Sequence, residues 1–194
     1  MLVITSTTTL VPDFPAAAFA AYRQAASAVF LAGTQGLKYK KDHYDLAVDL
    51  SKAGLTYIDE RADEIVIGAM TPLWQIKISQ AIQNFAGGAI SKAISDVADK
   101  NIQRYGTLGG VISSKAPFSV LLPILLSLHV DVQLQDKGCM SLDDYLHCPP
   151  MGELVTGISI AKEAVYTAYK AYRKLPVDEP YLVGAVAMRD DSWR

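Results

Sequence analysis

Leu31-Ala32-Gly33-Thr34-Gln35-Gly36-Leu37 decides how the opening of the chain folds. It closes Val29 to Ala32, a short β-prone apolar run, and Leu2 to Thr5 upstream is another such run. Between them Asp13-Phe14-Pro15 opens an alanine-rich stretch, Ala16 to Ala28, that reads as a helix. Pro15 falls in the first turn, where a missing N–H costs nothing. Strand, helix and a strand leaving through a glycine turn form a βαβ-type opening, which predicts parallel strands. Leu46 to Leu50 adds a third strand, and Gly54 marks a break.

Past that break the grammar changes. Leu55 to Ile58 and Glu64 to Ala69 read as two strands joined by the charged turn Asp59 to Asp63, a hairpin rather than a crossover. Thr71 reads as an N-cap with Pro72 just inside, and Leu73, Ile76, Ile78, Ile82 and Phe85 fit one buried helical face ending at Gly87-Gly88. Ala89 to Ala98 reads as a second helix through Ile90, Ala93, Ile94 and Val97. Val130 to Gln135 alternates apolar and polar residues, Ser141 to Asp144 has the form of a capped short helix, and Leu154 to Ile160 alternates again. From Ala161 to Lys174 the signals conflict: Tyr166, Tyr169 and Tyr172 recur at a helical spacing of three. The fold class expected is α+β. Residues 1–53 form a small βαβ subdomain, 54–160 a larger mixed or antiparallel sheet with helices, and 161–194 a tail.

Composition narrows the function. Over 194 residues, 18 Lys plus Arg stand against 20 Asp plus Glu, a formal charge of −2, so no clustered positive charge is available to grip nucleic acid. Half the residues are apolar (51%), which excludes disorder. The longest apolar stretch, Ala116 to Val130, is broken by Ser119, Pro123, Ser127 and His129, so no membrane span is expected. No basic residue precedes Arg23, so no secretory signal is read and a cytoplasmic protein is expected. Cys139 and Cys148 are the only cysteines, too few for a disulfide framework or an iron–sulfur set. His43, His129 and His147 are scattered, and His147-Cys148 alone offers two ligands, so no metal site is expected. Lys38, Lys40 and Lys41 with Tyr39 and Tyr44 form a short patch whose plainest role is a solvated face.

A second glycine turn, Arg104-Tyr105-Gly106-Thr107-Leu108-Gly109-Gly110, follows the first by about seventy residues. Neither is a Walker or Rossmann fingerprint. Glycines let main-chain N–H groups approach a diphosphate closely, which suits a chain short of basic residues. The plainer alternative is two tight turns whose glycines only permit positive φ. No nucleophile, base and orienter can be paired from the sequence, and no catalytic side chain is assigned.

The order of these features resembles the FAD-binding subunit of the molybdenum hydroxylases, the family of xanthine dehydrogenase and carbon monoxide dehydrogenase. It carries a flavin domain of the vanillyl-alcohol-oxidase type. Ile67-Gly68-Ala69 with Thr71 is similar to the family's iGA-x-T segment, and Glu153 to Ile158 to its E-L-hydrophobic-x-x-I strand. The likeness runs over nearly the whole chain. It implies a two-part clamp on FAD, Ala32, Gly33, Thr34, Gln35, Gly36 and Leu37 on one side and Thr107, Gly109 and Gly110 on the other, with Val97 against the cofactor. Tyr166 to Lys170 resembles a family stretch whose lysine reaches the flavin ring; this implies that Lys170 favours the anionic reduced ring and that the stretch is extended. Ser113-Ser114-Lys115 would lie where a ribose or phosphate passes, or is simply a polar loop.

The chain departs from the family pattern at named positions. The family's first loop reads A-G-G-T-D-L, against Ala32-Gly33-Thr34-Gln35-Gly36-Leu37 here, without the acidic residue. Val111 stands for the asparagine of G-G-N, Ala116 for the serine and Val120 for the aspartate of S-P-x-S-D, and Gln103-Arg104 for R-N. Tyr181 to Met188 resembles the first strand of a further C-terminal domain. The resemblance therefore implies an electron-transfer flavoprotein subunit. It would take electrons from a [2Fe–2S] subunit, itself reduced by a molybdopterin subunit, and pass them to NAD, a quinone or another acceptor. The alternative is a flavin-free structural or assembly subunit that keeps the fold. An exposed strand edge also implies self-association, a possible homo-oligomer.

Overall fold

The computed structural model describes residues 5–35, 37, 42–97, 99–116, 119–163, 166–175, 178–189 and 192–194. Gly36, Lys38 to Lys41 and the start of the expected first strand lie outside them. The first three strands are β1 (Thr5–Leu10), β2 (Ala28–Leu31) and β3 (His43–Asp49), with helix α1 (Pro15–Gln24) between β1 and β2. They form a sheet of order β1-β3-β2, and both pairings are parallel. Pro15 starts α1 as expected, and the chain turns extended again at Ala25. Ala18 and Phe19 of α1 pack with Val48, Leu50, Ala53, Leu55 and the distant Leu154, and the Tyr22 and Phe30 rings stack at 4.2 Å. The strands are parallel as read, but β3 separates β1 from β2. The turn after Leu31 thus leaves the carboxyl end of an edge strand, the end at which open α/β sheets receive ligands.

The larger sheet is antiparallel throughout, in the order β4 (Ile58–Glu60), β5 (Glu64–Gly68), β8 (Val155–Ala161), β6 (Val130–Leu134) and β7 (Gly138–Ser141). The β4–β5 pairing is the expected hairpin. Ile65, Val66 and Ile67 are all buried, because β5 is covered on both faces, and each such side chain contributes about 1.5–3 kcal/mol by burial. Between β5 and β6 run α2 (Leu73–Ile78), α3 (Gln80–Asn84), α4 (Ala89–Ser95), α5 (Lys100–Tyr105), α6 (Leu108–Ser114) and α7 (Leu122–Ser127), and α8 (Leu142–His147) follows β7. Ser141 caps α8 by accepting from the Asp144 amide at 3.0 Å.

Three local readings need correction. The single helix expected through Phe85 breaks at Ser79, whose φ and ψ are extended, and Ile78 turns outward. Thr71 caps no helix. Its hydroxyl donates to the Tyr57 carbonyl at 2.9 Å and accepts from the Tyr57 amide at 3.1 Å, stitching the β5–α2 connection to the start of the hairpin. The tyrosine spacing that favoured a helix is a strand, β9 (Tyr166–Tyr172), which pairs with β10 (Leu182–Arg189) and through it with β11 (Ser192–Trp193) in an antiparallel sheet. Tyr169 and Ala187 of this sheet belong to the same hydrophobic core as β5, β6 and β8, so the segment after residue 160 packs into the larger body. Among the described residues no helix is long and apolar enough to cross a membrane.

Candidate functional site

The first glycine turn rests directly on the second. A Cβ added at Gly33 would lie 1.9 Å from the Tyr105 carbonyl oxygen and 3.1 Å from the Gly106 Cα, so only glycine allows this junction. Within the first turn, the Gly33 carbonyl accepts from Gln35 Nε2 at 3.2 Å and the Thr34 carbonyl from the Leu37 amide at 3.1 Å. The carbonyls are thus engaged inward. The amides of Gly33 and Thr34 find no acceptor among the described residues. Thr34 holds φ at +55°, the left-handed region, at the position where the family loop has its second glycine. Consecutive amides left open around such a residue make an anion-binding concavity.

The second turn spends its donors differently. Gly106 N donates to the Ile102 carbonyl at 2.8 Å, Leu108 N to Thr71 at 3.1 Å, Gly109 N to Ala69 at 2.8 Å and Val111 N to Thr107 at 3.0 Å. Gly110 N donates to the Thr107 hydroxyl at 3.3 Å, the N-cap of α6. Thr107 itself faces Pro72 in an isolated antiparallel bridge whose bonds run through the flanking residues. In that geometry its own N–H points away from Pro72, and it has no acceptor among the described residues. Gly109 is a packing glycine, since a Cβ there would meet the Ala69 Cβ at 2.8 Å.

Val97 joins this neighbourhood through α5, because Gln103 is buried and its Nε2 donates to the Val97 carbonyl at 2.6 Å. The Arg104 guanidinium stands 5.9 Å from the Tyr105 ring, beside the junction. Ala32 and Leu37 flank the first turn, both half-buried. The remaining sequence candidates lie elsewhere. Val111 packs against the main core, and Val120 is 7% exposed in the connection to α7. Lys170 occupies the outer face of β9, its ammonium 5.9 Å from the Tyr172 ring, while its neighbour Tyr169 points into the core. Burial, and then Asp96, raise the Tyr169 phenol well above its ordinary pKa. Lys115 of the Ser113 to Lys115 segment is engaged with the Leu146 carbonyl at 2.8 Å. Among the described residues, no group of three or more His, Cys, Asp or Glu could hold a metal. Tyr105, Gly106 and Gln103 were not singled out for the site from the sequence; the signal for Gly106 was its place in the second turn, while Gln103 showed only as a departure from the family dipeptide.

The sequence model of one family, described as the FAD binding domain in molybdopterin dehydrogenase, matches residues 5–162. The chain belongs to this family. FAD is the cofactor of this family of domains, and the α+β architecture agrees with it. Among curated relatives, the protein YgfM of Escherichia coli K12 is 28% identical over 165 residues, covering 84% of this chain and 62% of YgfM. The chain thus spans about 62% of the length of the curated relatives it matches. Solved structures share the fold. Carbon monoxide dehydrogenase from Hydrogenophaga pseudoflava matches with a TM-score of 0.84 at 22% identity, over 95% of this chain and 69% of that one. Quinoline 2-oxidoreductase from Pseudomonas putida 86 matches at 0.83 and 18%, over 96% and 68%. Reconstituted CO dehydrogenase from Oligotropha carboxidovorans matches at 0.78 and 24%, over 98% and 71%.

The donor set fits the diphosphate of FAD in part. Gly33, Thr34 and Thr107 offer amides free of internal partners around one junction, whereas Gly109, Gly110 and Val111 do not. A cavity of about 220 Å³ beside His129 and a shallow groove of about 330 Å³ beside Ala116 and Ser119 are lined by other residues, so a bound dinucleotide would lie along a surface cleft at the turns.

Proposed function

We propose that this chain is the flavin-binding, electron-transferring subunit of a molybdopterin-dependent dehydrogenase. The observation that carries the reading is the seating of Gly33 on the Tyr105 carbonyl, which brings the open amides of Gly33 and Thr34 beside Thr107. These three amides would hold the diphosphate, and main-chain recognition tolerates the side-chain departures of the loops. Val97, tied to α5 through Gln103, would offer an apolar wall. When bound, FAD supplies the redox step, so the protein needs only to bind it, orient it and shield it from water. Lys170 is left out of the proposed contacts, since its side chain stands on the outer face of β9. The proposed route takes electrons from a [2Fe–2S] subunit reduced by a molybdopterin subunit and delivers them to NAD, a quinone or another acceptor.

A second reading, a flavin-free structural subunit, is favoured by the internal use of the Gly109, Gly110 and Val111 amides and by the buried Val120. One experiment separates the two. Purified protein, titrated with FAD, is expected to show absorbance near about 450 nm and to release FAD on denaturation. Colourless protein that FAD cannot colour, with an intact fold by circular dichroism, overturns the flavin reading.

A further inference from the structure

The alternation along β9 separates two faces. Thr167 and Tyr169 turn to the core, while Tyr166, Lys170 and Tyr172 turn out. Antiparallel register sets Met188 opposite Tyr166, Gly184 opposite Lys170 and Leu182 opposite Tyr172, and Trp193 pairs with Met188. Residues directly opposite share a face, so these side chains form one surface. The solvated face of an antiparallel sheet is normally polar. Here Tyr166 is 75% exposed, Tyr172 55%, Leu182 62% and Trp193 64%.

This surface has relief. Large side chains stand at both ends, and in the middle nothing lies within 4 Å of where a Gly184 Cβ would sit. Lys170 leaves that hollow open by leaning over the Tyr172 ring. A raised ring beside a hollow on the same face is what a two-fold contact requires, because residue i then meets j while j meets i. From the areas such aromatics bury, the face offers roughly 600 Å² per copy, so a pair would bury about 1,200 Å², the lower limit of a specific interface. The face carries no carboxylate, and its one cation has an aromatic ring as neighbour, which a second copy would duplicate as a cation–π contact.

We propose that two copies of this chain pack through the outer face of the β9–β10–β11 sheet, Tyr172 of each filling the hollow over Gly184 of the other. The pair is of modest affinity and stands independently of the flavin reading. Sedimentation equilibrium of the full chain across micromolar concentrations tests it, with Gly184→Phe, which fills the hollow, and Leu182→Asp, which places charge on the face. Both positions are exposed, and circular dichroism checks that the variants fold. The expected result is a concentration-dependent dimer of the parent chain, a tenfold or greater weakening in each variant, and FAD affinity within twofold of the parent in both. A monomer at every concentration, a dimer indifferent to both substitutions, or protection of this face only when a different polypeptide is added would each overturn it.

Discussion

In the first glycine turn the carbonyls of Gly33 and Thr34 accept bonds from within the turn while their amides stay open; in the second, the amides of Gly106, Leu108, Gly109, Gly110 and Val111 are all engaged inside the protein. The two stretches look alike as letters, with glycines near a threonine. Their physical roles diverge because one turn leaves a sheet at its edge, whereas the other is clasped between the β5–α2 connection and α6. Gly33 is needed for contact between the turns, and Gly109 for the approach of α6 to Ala69. A glycine motif therefore reports close approach before it reports a ligand.

Gly33→Ala is the most direct way to break this contrast. Its Cβ would overlap the Tyr105 carbonyl, the turns must part, and FAD affinity is expected to fall about 100-fold or more, equivalent to roughly 3 kcal/mol, as read by titration. Gly109→Ala should instead cost about 1–3 kcal/mol in urea denaturation, with FAD affinity changed far less. If the two glycines behave alike, the contrast between the turns is wrong. Thr107→Ala removes the cap on the Gly110 amide and should cost about 1 kcal/mol of stability, while the Thr107 main-chain donor remains. Thr34→Gly relieves a left-handed non-glycine residue and should stabilise by at most about 1 kcal/mol, seen as a raised Tm with FAD binding retained.

The smallest effect comes from a region outside both turns and serves as their control. Partial burial, and then Arg189 and Arg194, hold the His129 imidazole below its ordinary pKa. The unfolded chain therefore binds that proton more readily, so stability is full above the ordinary histidine value and declines as pH falls below it. His129→Asn, which tolerates the left-handed backbone at this position, should flatten that part of the pH–stability profile without altering FAD binding at neutral pH.

The tyrosines after Ala161 show where local reading fails. Their spacing of three fits a helix, yet β9 alternates, with Tyr169 inward and Tyr166 and Tyr172 outward. The deciding partner, β10, pairs with it residue by residue from Leu182 to Met188, and no local propensity contains that information. Thr71 was legible as a polar residue beside a proline, but not as the clasp on Tyr57, because the hairpin it ties was needed to complete it.

Hydrophobic periodicity and glycine placement alone determined the α+β class, the parallel opening, the β4–β5 hairpin and the existence of both turns, since these follow from short-range sterics and from which side chains must leave water. Only the tertiary structure decided that Gly33 meets Tyr105, that the second turn consumes its own donors, and that Lys170 faces outward. Those outcomes depend on contacts between segments some seventy residues apart and on which main-chain groups remain unsatisfied once every neighbour is in place, and neither is encoded in a local window.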